Sequence, residues 1–236
     1  MPLPSPSDST DSTDSTGIAG LSGFAGTPGD HATPEAATAA TDGRQLRRRR
    51  NREAVVEALL DLYRDGELRP STEAIAARSG LSPRSLFRYF DDVDDLIDAA
   101  VARQRDRALP LVSIDISPRE PLAAKASALV DQRFRLFDVV GNASTVVRLR
   151  SPFQPLLAAQ LAEHREYLRN QMNRLFAPEL AAMEPAAAAT ALATADVMAS
   201  FEARQLLRED QGLSVPQAKA AMVSALVALL GPASRP

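Results

Sequence analysis

Within STEAIAARSGLSPRSLFRYF (71–90), the side chains best suited to chemistry are Arg84, Ser85 and Arg88, and that chemistry is recognition, not catalysis. An arginine fork donates two parallel hydrogen bonds to a guanine edge, and hydroxyls bond bases or phosphates. Ser82 is placed to cap a helix and Pro83 to occupy its first position, where the missing amide costs nothing. Leu86 and Phe90 then share one face, while Arg84, Ser85 and Arg88 point elsewhere. Before this helix, Ser71 can cap another that carries Ile75, Ala76 and Ser79 at helical spacing, and Gly80 supplies the freedom a tight turn needs. A glycine turn between two short helices, the second cationic on its polar face, reads as a helix-turn-helix, which lays its second helix in a major groove.

The flanking segments must position that unit. Upstream, Val55, Val56, Leu59, Leu60, Leu62 and Tyr63 form an apolar helical face ending near Gly66, and Arg47, Arg48, Arg49 and Arg50 stand at its entrance. An arginine run in front of a helix-turn-helix suits phosphates or a minor groove; the alternative is a solvated charge run that merely starts a helix. Downstream, DDVDDLIDAAV opens a new helix directly after Phe90, its acids favourably placed at the positive helix end but repulsive to nearby phosphates.

On the segment IAARSGLSPRSLFRYF and the acidic helix start that follows, residues 47 to about 102 resemble the DNA-binding domain of the tetracycline-repressor (TetR) family of transcription regulators. The resemblance implies a third helix that reads the major groove, with Arg84 and Ser85 as base readers. It also implies a helical second domain that binds a ligand and dimerises, with its last two helices in a four-helix bundle across a two-fold axis. Two positions depart from the family: Phe87 stands where a tyrosine is common, and Val93 where a lysine is common. Both family residues are credited with phosphate contacts, so here anchoring falls to Arg88, Tyr89, Ser71 and the Arg47–Arg50 run, around the Ser82–Pro83 helix start.

Composition fits this reading. The chain has 236 residues, a formal net charge of −3, 45% hydrophobic residues and no cysteine. Disulfides, thiolate metal sites and cysteine redox sensing are thereby excluded. The charge is segregated: residues 1–43 carry six acids and no lysine or arginine, whereas residues 44–90 carry eleven arginines against six acids, a local +5. The early segment repeats DST three times and has hardly any large apolar residues, so it is expected to be a disordered acidic tail. Two readings of it stay open, a neutral solvated extension and a competitor with DNA for Arg47–Arg50. No apolar run spans a bilayer and no secretion-signal pattern opens the chain, so a bacterial cytoplasmic location and no membrane partner are expected.

The expected organisation is an all-α chain in three parts: 1–43, the tail; 44–106, the helix-turn-helix DNA-binding domain; and 107–236, a helical effector-binding and dimerisation domain. Helices are expected over 121–140, 143–151, 155–176, 186–210 and 215–230, with Gly141, Pro152, Pro155, Pro178, Pro185, Gly212 and Gly231 between them. Leu192, Ala195, Ala199, Ala203 and Leu206, with Met222, Leu226, Leu229 and Leu230, mark the last two long helices as either dimer interface or ordinary core. Ligand walls are sought among Phe134, Phe137, Leu149, Phe153, Leu157, Tyr167 and Met198, with Arg133 and Arg148 as either anion anchors or stems covering the core.

Catalysis finds little support. His31 lies in the tail, His164 sits in the polar segment AEHREYLRN and is expected on a solvated face, and no phosphate loop, nucleophile elbow or paired-histidine helix appears. No cofactor or metal is expected. The expected function is a non-enzymatic, ligand-responsive, homodimeric repressor that binds an inverted-repeat operator in double-stranded DNA; activation instead depends on where the operator lies. The alternative is a helical small-molecule-binding or scaffold protein of the same fold with lost or weak DNA reading.

Overall fold

Proline and serine mark most helix starts in this chain, and the structure follows them. The computed structural model describes residues 34–232, with side chains from Gly43, and among these residues every regular element is helical. Helix α1 spans Pro34–Arg64, α2 Thr72–Ser79, α3 Pro83–Leu86 and α4 Val93–Ala108. A 3-10 turn at Leu109–Leu111 leads towards α5, Leu122–Arg150, followed by α6, Pro155–Leu175, and α7, Ala177–Ala181. The chain closes with α8, Pro185–Met198; α9, Phe201–Gln205; a π turn, Leu206–Asp210; and α10, Val215–Leu230.

Two expectations on element bounds are corrected, at the start of α1 and within 186–210. Helix α1 begins at Pro34, inside the segment expected to be a disordered tail, because proline suits a first helical position and PEAATAA is rich in good helix formers. The rest of that tail, residues 1–33 with His31, lies outside the described residues. The two helical stretches expected over 121–140 and 143–151 are present and run together as α5 across a kink at Gly141, whose φ 43° and ψ −139° lie outside the helical region and need glycine. The helix expected over 186–210 breaks after Met198, where Ser200 turns extended and its side chain accepts from the Ala203 amide, capping α9.

Two cores organise the chain from Gly43 onward. The first gathers Val55, Leu59, Leu62 and Tyr63 of α1 with Ile75, Leu86, Phe90, Leu96 and Ile97, and continues into Ala143 and Val146 of α5 and Leu157 of α6. The helix-turn-helix unit is therefore fastened to the second helical layer by shared apolar packing. Asn142 Nδ2 donates to the Tyr63 carbonyl at 2.8 Å, and Arg150 pairs with Asp94 at 2.8 Å. The second core joins Leu129, Val130, Phe134, Met172, Phe176, Met222, Leu226 and Leu230. Between them, Ala108, Leu136, Phe137, Leu168 and Phe201 form a small cluster in which the rings of Phe137 and Phe201 meet edge to face, 5.6 Å apart.

The fully buried polar side chains of the second layer, Lys125, Gln132 and Arg133, are partnered. Lys125, fully buried, pairs with Glu179 at 2.7 Å and donates to the Pro118 carbonyl at 2.8 Å. Arg133 donates to Gln132 Oε1 at 2.5 Å, Gln171 Oε1 at 2.8 Å and the Leu168 carbonyl at 3.1 Å. Those two glutamines donate in turn to the carbonyls of Leu111 and Val112, at 2.7 and 2.5 Å, which pins the turn after α4 against α5 and α6. Burial lowers the Arg133 pKa to about 10, still far above neutrality, so the network holds a charged guanidinium.

Candidate nucleic-acid interface and effector cavity

The turn between α2 and α3 is built as the sequence suggests. Ser71 Oγ accepts from the Ala74 amide at 3.1 Å, and Gly80 ends α2 at φ 71°, where a side chain would be strained. Ser82 Oγ accepts from the Ser85 amide at 3.2 Å and shares a hydrogen bond with Ser85 Oγ at 2.9 Å, with Pro83 first in the helix. Leu86 and Phe90, 0% and 1% exposed, anchor α3 in the core. The α-helical part stops at Leu86; tighter i to i+3 bonds, Arg88 N to Ser85 O and Tyr89 N to Leu86 O, carry the chain to Phe90.

Anchoring one side of this element turns the other to solvent. Arg84 and Arg88, one turn apart, are exposed and have no partner among the described residues. Phe87 lies between them, 51% exposed. A large exposed ring flanked by two unpaired guanidinium groups has no use in the subunit's own packing. Ser85, half-buried, commits part of its hydroxyl capacity to Ser82. Tyr89 is also half-buried, and its hydroxyl accepts from Asn51 Nδ2 at 2.8 Å, leaving its own proton free to donate. That bond ties the residue after the arginine run to the end of α3. Arg52 adds a second tie: its guanidinium lies 4.7 Å from the Phe90 ring centre and 3.9 Å from an Asp95 oxygen.

Arg47, Arg48, Arg49 and Arg50 lie within α1, not ahead of it, and all are exposed. Arg49 pairs with Glu53 at 3.1 Å, an exposed bond of small energetic weight, while Arg47, Arg48 and Arg50 have no partner among the described residues. The acids after Phe90 are largely engaged. Asp92 Oδ1 accepts from the Asp95 amide at 2.8 Å, Asp95 Oδ2 accepts from the Asp91 amide at 3.2 Å, and Asp94 holds Arg150. Their negative charge caps α4 and fastens it to α5, which lessens the phosphate repulsion expected from the sequence.

A second site opens above, a cavity of about 270 Å³ between α4, the 3-10 turn, α5 and α6. Val101, Ala108, Val140, Ala143, Val147 and Leu161 form its aliphatic wall. Of the residues considered from sequence, Arg148 and Tyr167 line it. The others do not. Phe134 and Phe137 are core side chains, Arg133 is spent in the buried network, Phe153 is 83% exposed at the α5–α6 corner, and Met198 is half-buried at the end of α8. Leu157 is in the first core and Leu149 is exposed. Aromatic residues on α5 serve packing because its stripe, from Ala126 to Phe137, faces two helical layers at once.

Sequence reasoning missed Gln104, Arg105, Ser144, Gln160 and, above all, His164, which lines the cavity instead of a solvated face. The signal was present: Leu157, Leu161, His164 and Leu168 follow one helical stripe, so His164 shares the inward side of α6. Burial lowers its pKa, and Arg148, Arg133 and Arg165 lower it further. Arg148 itself donates to Glu202 at 2.9 Å and to the Ser144 carbonyl at 3.2 Å, beneath the Phe201 ring at 4.3 Å. Among the described residues no helix is long and apolar enough to cross a membrane.

The sequence matches no protein-family model and no curated protein. The fold does have solved counterparts. A transcriptional regulator from Rhodococcus sp. Rha1 superposes with a TM-score of 0.59 at 17% identity, over 76% of this chain and 95% of that one. A chain from Rhodococcus sp., assigned to the TetR family of transcriptional regulators, gives 0.55 at 16% identity over 77% and 99%. A TetR transcription regulator from Haloarcula marismortui gives 0.53 at 14% identity over 76% and 96%. This chain therefore has the all-α fold of TetR-type regulators, a helix-turn-helix followed by a larger helical layer.

Proposed function

We propose that this protein is a non-enzymatic, sequence-specific DNA-binding transcription regulator, a homodimer whose grip on an inverted-repeat operator is set by a small molecule in the α4–α6 cavity. The observation that carries the reading is the outward side of α3 and of the turn that continues it to Phe90. Arg84 and Arg88 are exposed and unpaired beside exposed Phe87, on a helix whose start is capped and whose inner side is locked in the core. Arg84 reads a base edge, Arg88 and Tyr89 grip the phosphate backbone with Ser71, and the arginines of α1 add sequence-independent attraction.

A dimer is supported by the outer sides of α8 and α10. Of the residues first weighed for an interface, Ala195, Ala199, Met222, Leu226 and Leu230 are buried in the subunit's own core, Leu192, Ala203 and Leu229 are half-buried, and Leu206 is exposed. Among the residues α8 leaves exposed, Ala186, Thr190, Ala193 and Val197 stand at helical spacing, and α10 likewise exposes Ala220, Ser224 and Ala228. Thr190 and Thr194 return their hydroxyls to the carbonyls of Ala186 and Thr190, both at 2.9 Å, so this side of α8 presents little unsatisfied polarity. Small residues on two adjacent helices allow close approach of a second pair, which would set two α3 helices about 34 to 36 Å apart for half-sites one DNA turn apart. Control runs through α4, whose inner side lines the cavity and whose start follows α3 directly.

Arg84→Ala is expected to relax preference at one base pair per half-site, costing about 1–3 kcal/mol on the preferred operator. Arg48→Ala is expected to weaken binding to all sequences alike and to flatten the salt dependence by about one unit of slope. Titrations of both variants on specific and scrambled duplexes at several salt concentrations separate the roles. Equal losses of specificity from both would sink the assignment.

A further inference from the structure

We infer that the α4–α6 cavity is built for a small amphipathic monocarboxylate, with its hydrocarbon body on the aliphatic wall and its acid group between Arg105 and the His164 side. The binding claim stands on the cavity alone; only its consequence for DNA rests on the function proposed above.

Three observations meet here. The wall is aliphatic, and at about 270 Å³ the space lies just under the range of about 300–1,000 Å³ usual for ligand sites, which suits a short chain and not a polycyclic molecule. Of the polar groups that line it, Gln104 and Arg148 are engaged with the Val139 carbonyl and with Glu202, and the rest are unspent. Arg105, Ser144, Gln160, His164 and Tyr167 have no side-chain hydrogen bond or ion pair among the described residues. A cavity whose apolar part is continuous and whose polar part keeps several unpartnered groups is complementary to a molecule with one apolar and one polar end.

The sign of the polar end follows from the charges around it. The charged neighbours that lower the His164 pKa are all arginines, Arg148 and Arg133 from α5 and Arg165 from α6. Arg105 brings a further cation from α4. Of the nearby acids, Glu202 of α9 is tied to both Arg148 and Arg165, and Asp196 of α8 is tied to Arg169. Glu163, at the exposed rim of α6, is the one lining acid without a partner among the described residues. The net field inside is positive, so an anion gains on entry and an amine loses. Arg105 matters most because it is free to pair and sits on the helix that leads to α3. A bidentate contact from it would bind the acid to the element proposed to move.

The test is calorimetric titration of the full chain with sodium octanoate and, separately, with octan-1-ol, which has the same chain length and no charge. The expected result is one octanoate per chain, bound about tenfold or more tighter than the alcohol, as a charge-assisted hydrogen bond implies. Arg105→Gln, an exposed substitution that leaves the cores intact, should raise the octanoate Kd about tenfold and leave the alcohol unchanged. Equal affinities for acid and alcohol, binding of neither, or an indifferent Arg105→Gln would overturn the inference. Octanoate binding that leaves DNA retention unchanged would uphold the ligand class and overturn only the proposed control of DNA.

Discussion

Arg84 and Arg88 stand one helical turn apart, and what each is worth depends on the side chain between them. Phe87, where the resembled family commonly has a tyrosine, lacks a hydroxyl for phosphate, yet its exposed ring can lie against a thymine methyl group. Phe87→Ala is expected to lower affinity several-fold for the preferred site and not for a copy in which the contacted thymine is replaced by deoxyuridine. Equal losses on both duplexes would show that the ring serves packing alone. Beside the cavity, where it pairs with Arg148, Glu202 offers a pH test. Burial raises its pKa, but the hydrogen bonds and charge of Arg148, helped by Arg165, outweigh this and hold it at about 2, against 4.5 for the free side chain. A depressed carboxylate contributes stability that is present above its unfolded pKa and is lost as pH falls towards the folded one. Thermal melts should therefore show Glu202→Gln losing less stability than the parent chain between pH 4.5 and about 2, by a modest amount because the pair is partly exposed.

At the scale of elements, the helix-turn-helix was legible because its cues are local. Ser71, Gly80, Ser82 and Pro83 act within one or two turns, and each does in the structure what its side chain or backbone dictates. The cavity was not legible in the same way, because its walls come from residues far apart in sequence. Phe134 and Phe137 read equally well as wall or core until the neighbouring helices are placed, while His164 was dismissed on the polarity of its immediate neighbours although its spacing matched the buried stripe of α6. Gly141 was read as the break between two helical segments, and α5 does leave helical geometry there. The break in the α5 ladder is answered from α4, whose Gln104 side chain donates to the Val139 carbonyl, and Val140 and Ala143 on either side both line the cavity. A Cβ at Gly141 would meet nothing within 4 Å, so Gly141→Ala is strained by its positive φ alone. Its expected cost is about 1–3 kcal/mol, read as a lower urea midpoint with an unchanged slope. A neutral or stabilising result would mean the kink is not a requirement of the fold.

For the whole molecule, the net charge of −3 conceals the arrangement that matters. Positive charge concentrates on residues 44–90, where the exposed arginines of α1 and α3 lie, and the acids that open α4 are spent on capping and on Arg150. Shared apolar packing joins α1 to α4 with α5 and α6, and the cavity lies at that junction. The central claim is dimeric, sequence-specific DNA reading. It is tested most directly by incubating the purified full chain with a random double-stranded DNA pool at physiological salt and sequencing what it retains. The account predicts an enriched inverted repeat whose half-site centres are about one helical turn apart or a multiple of it. Retention that vanishes with modest salt and enriches no sequence would contradict it, leaving a helical binding protein in which Arg84, Phe87 and Arg88 are ordinary surface.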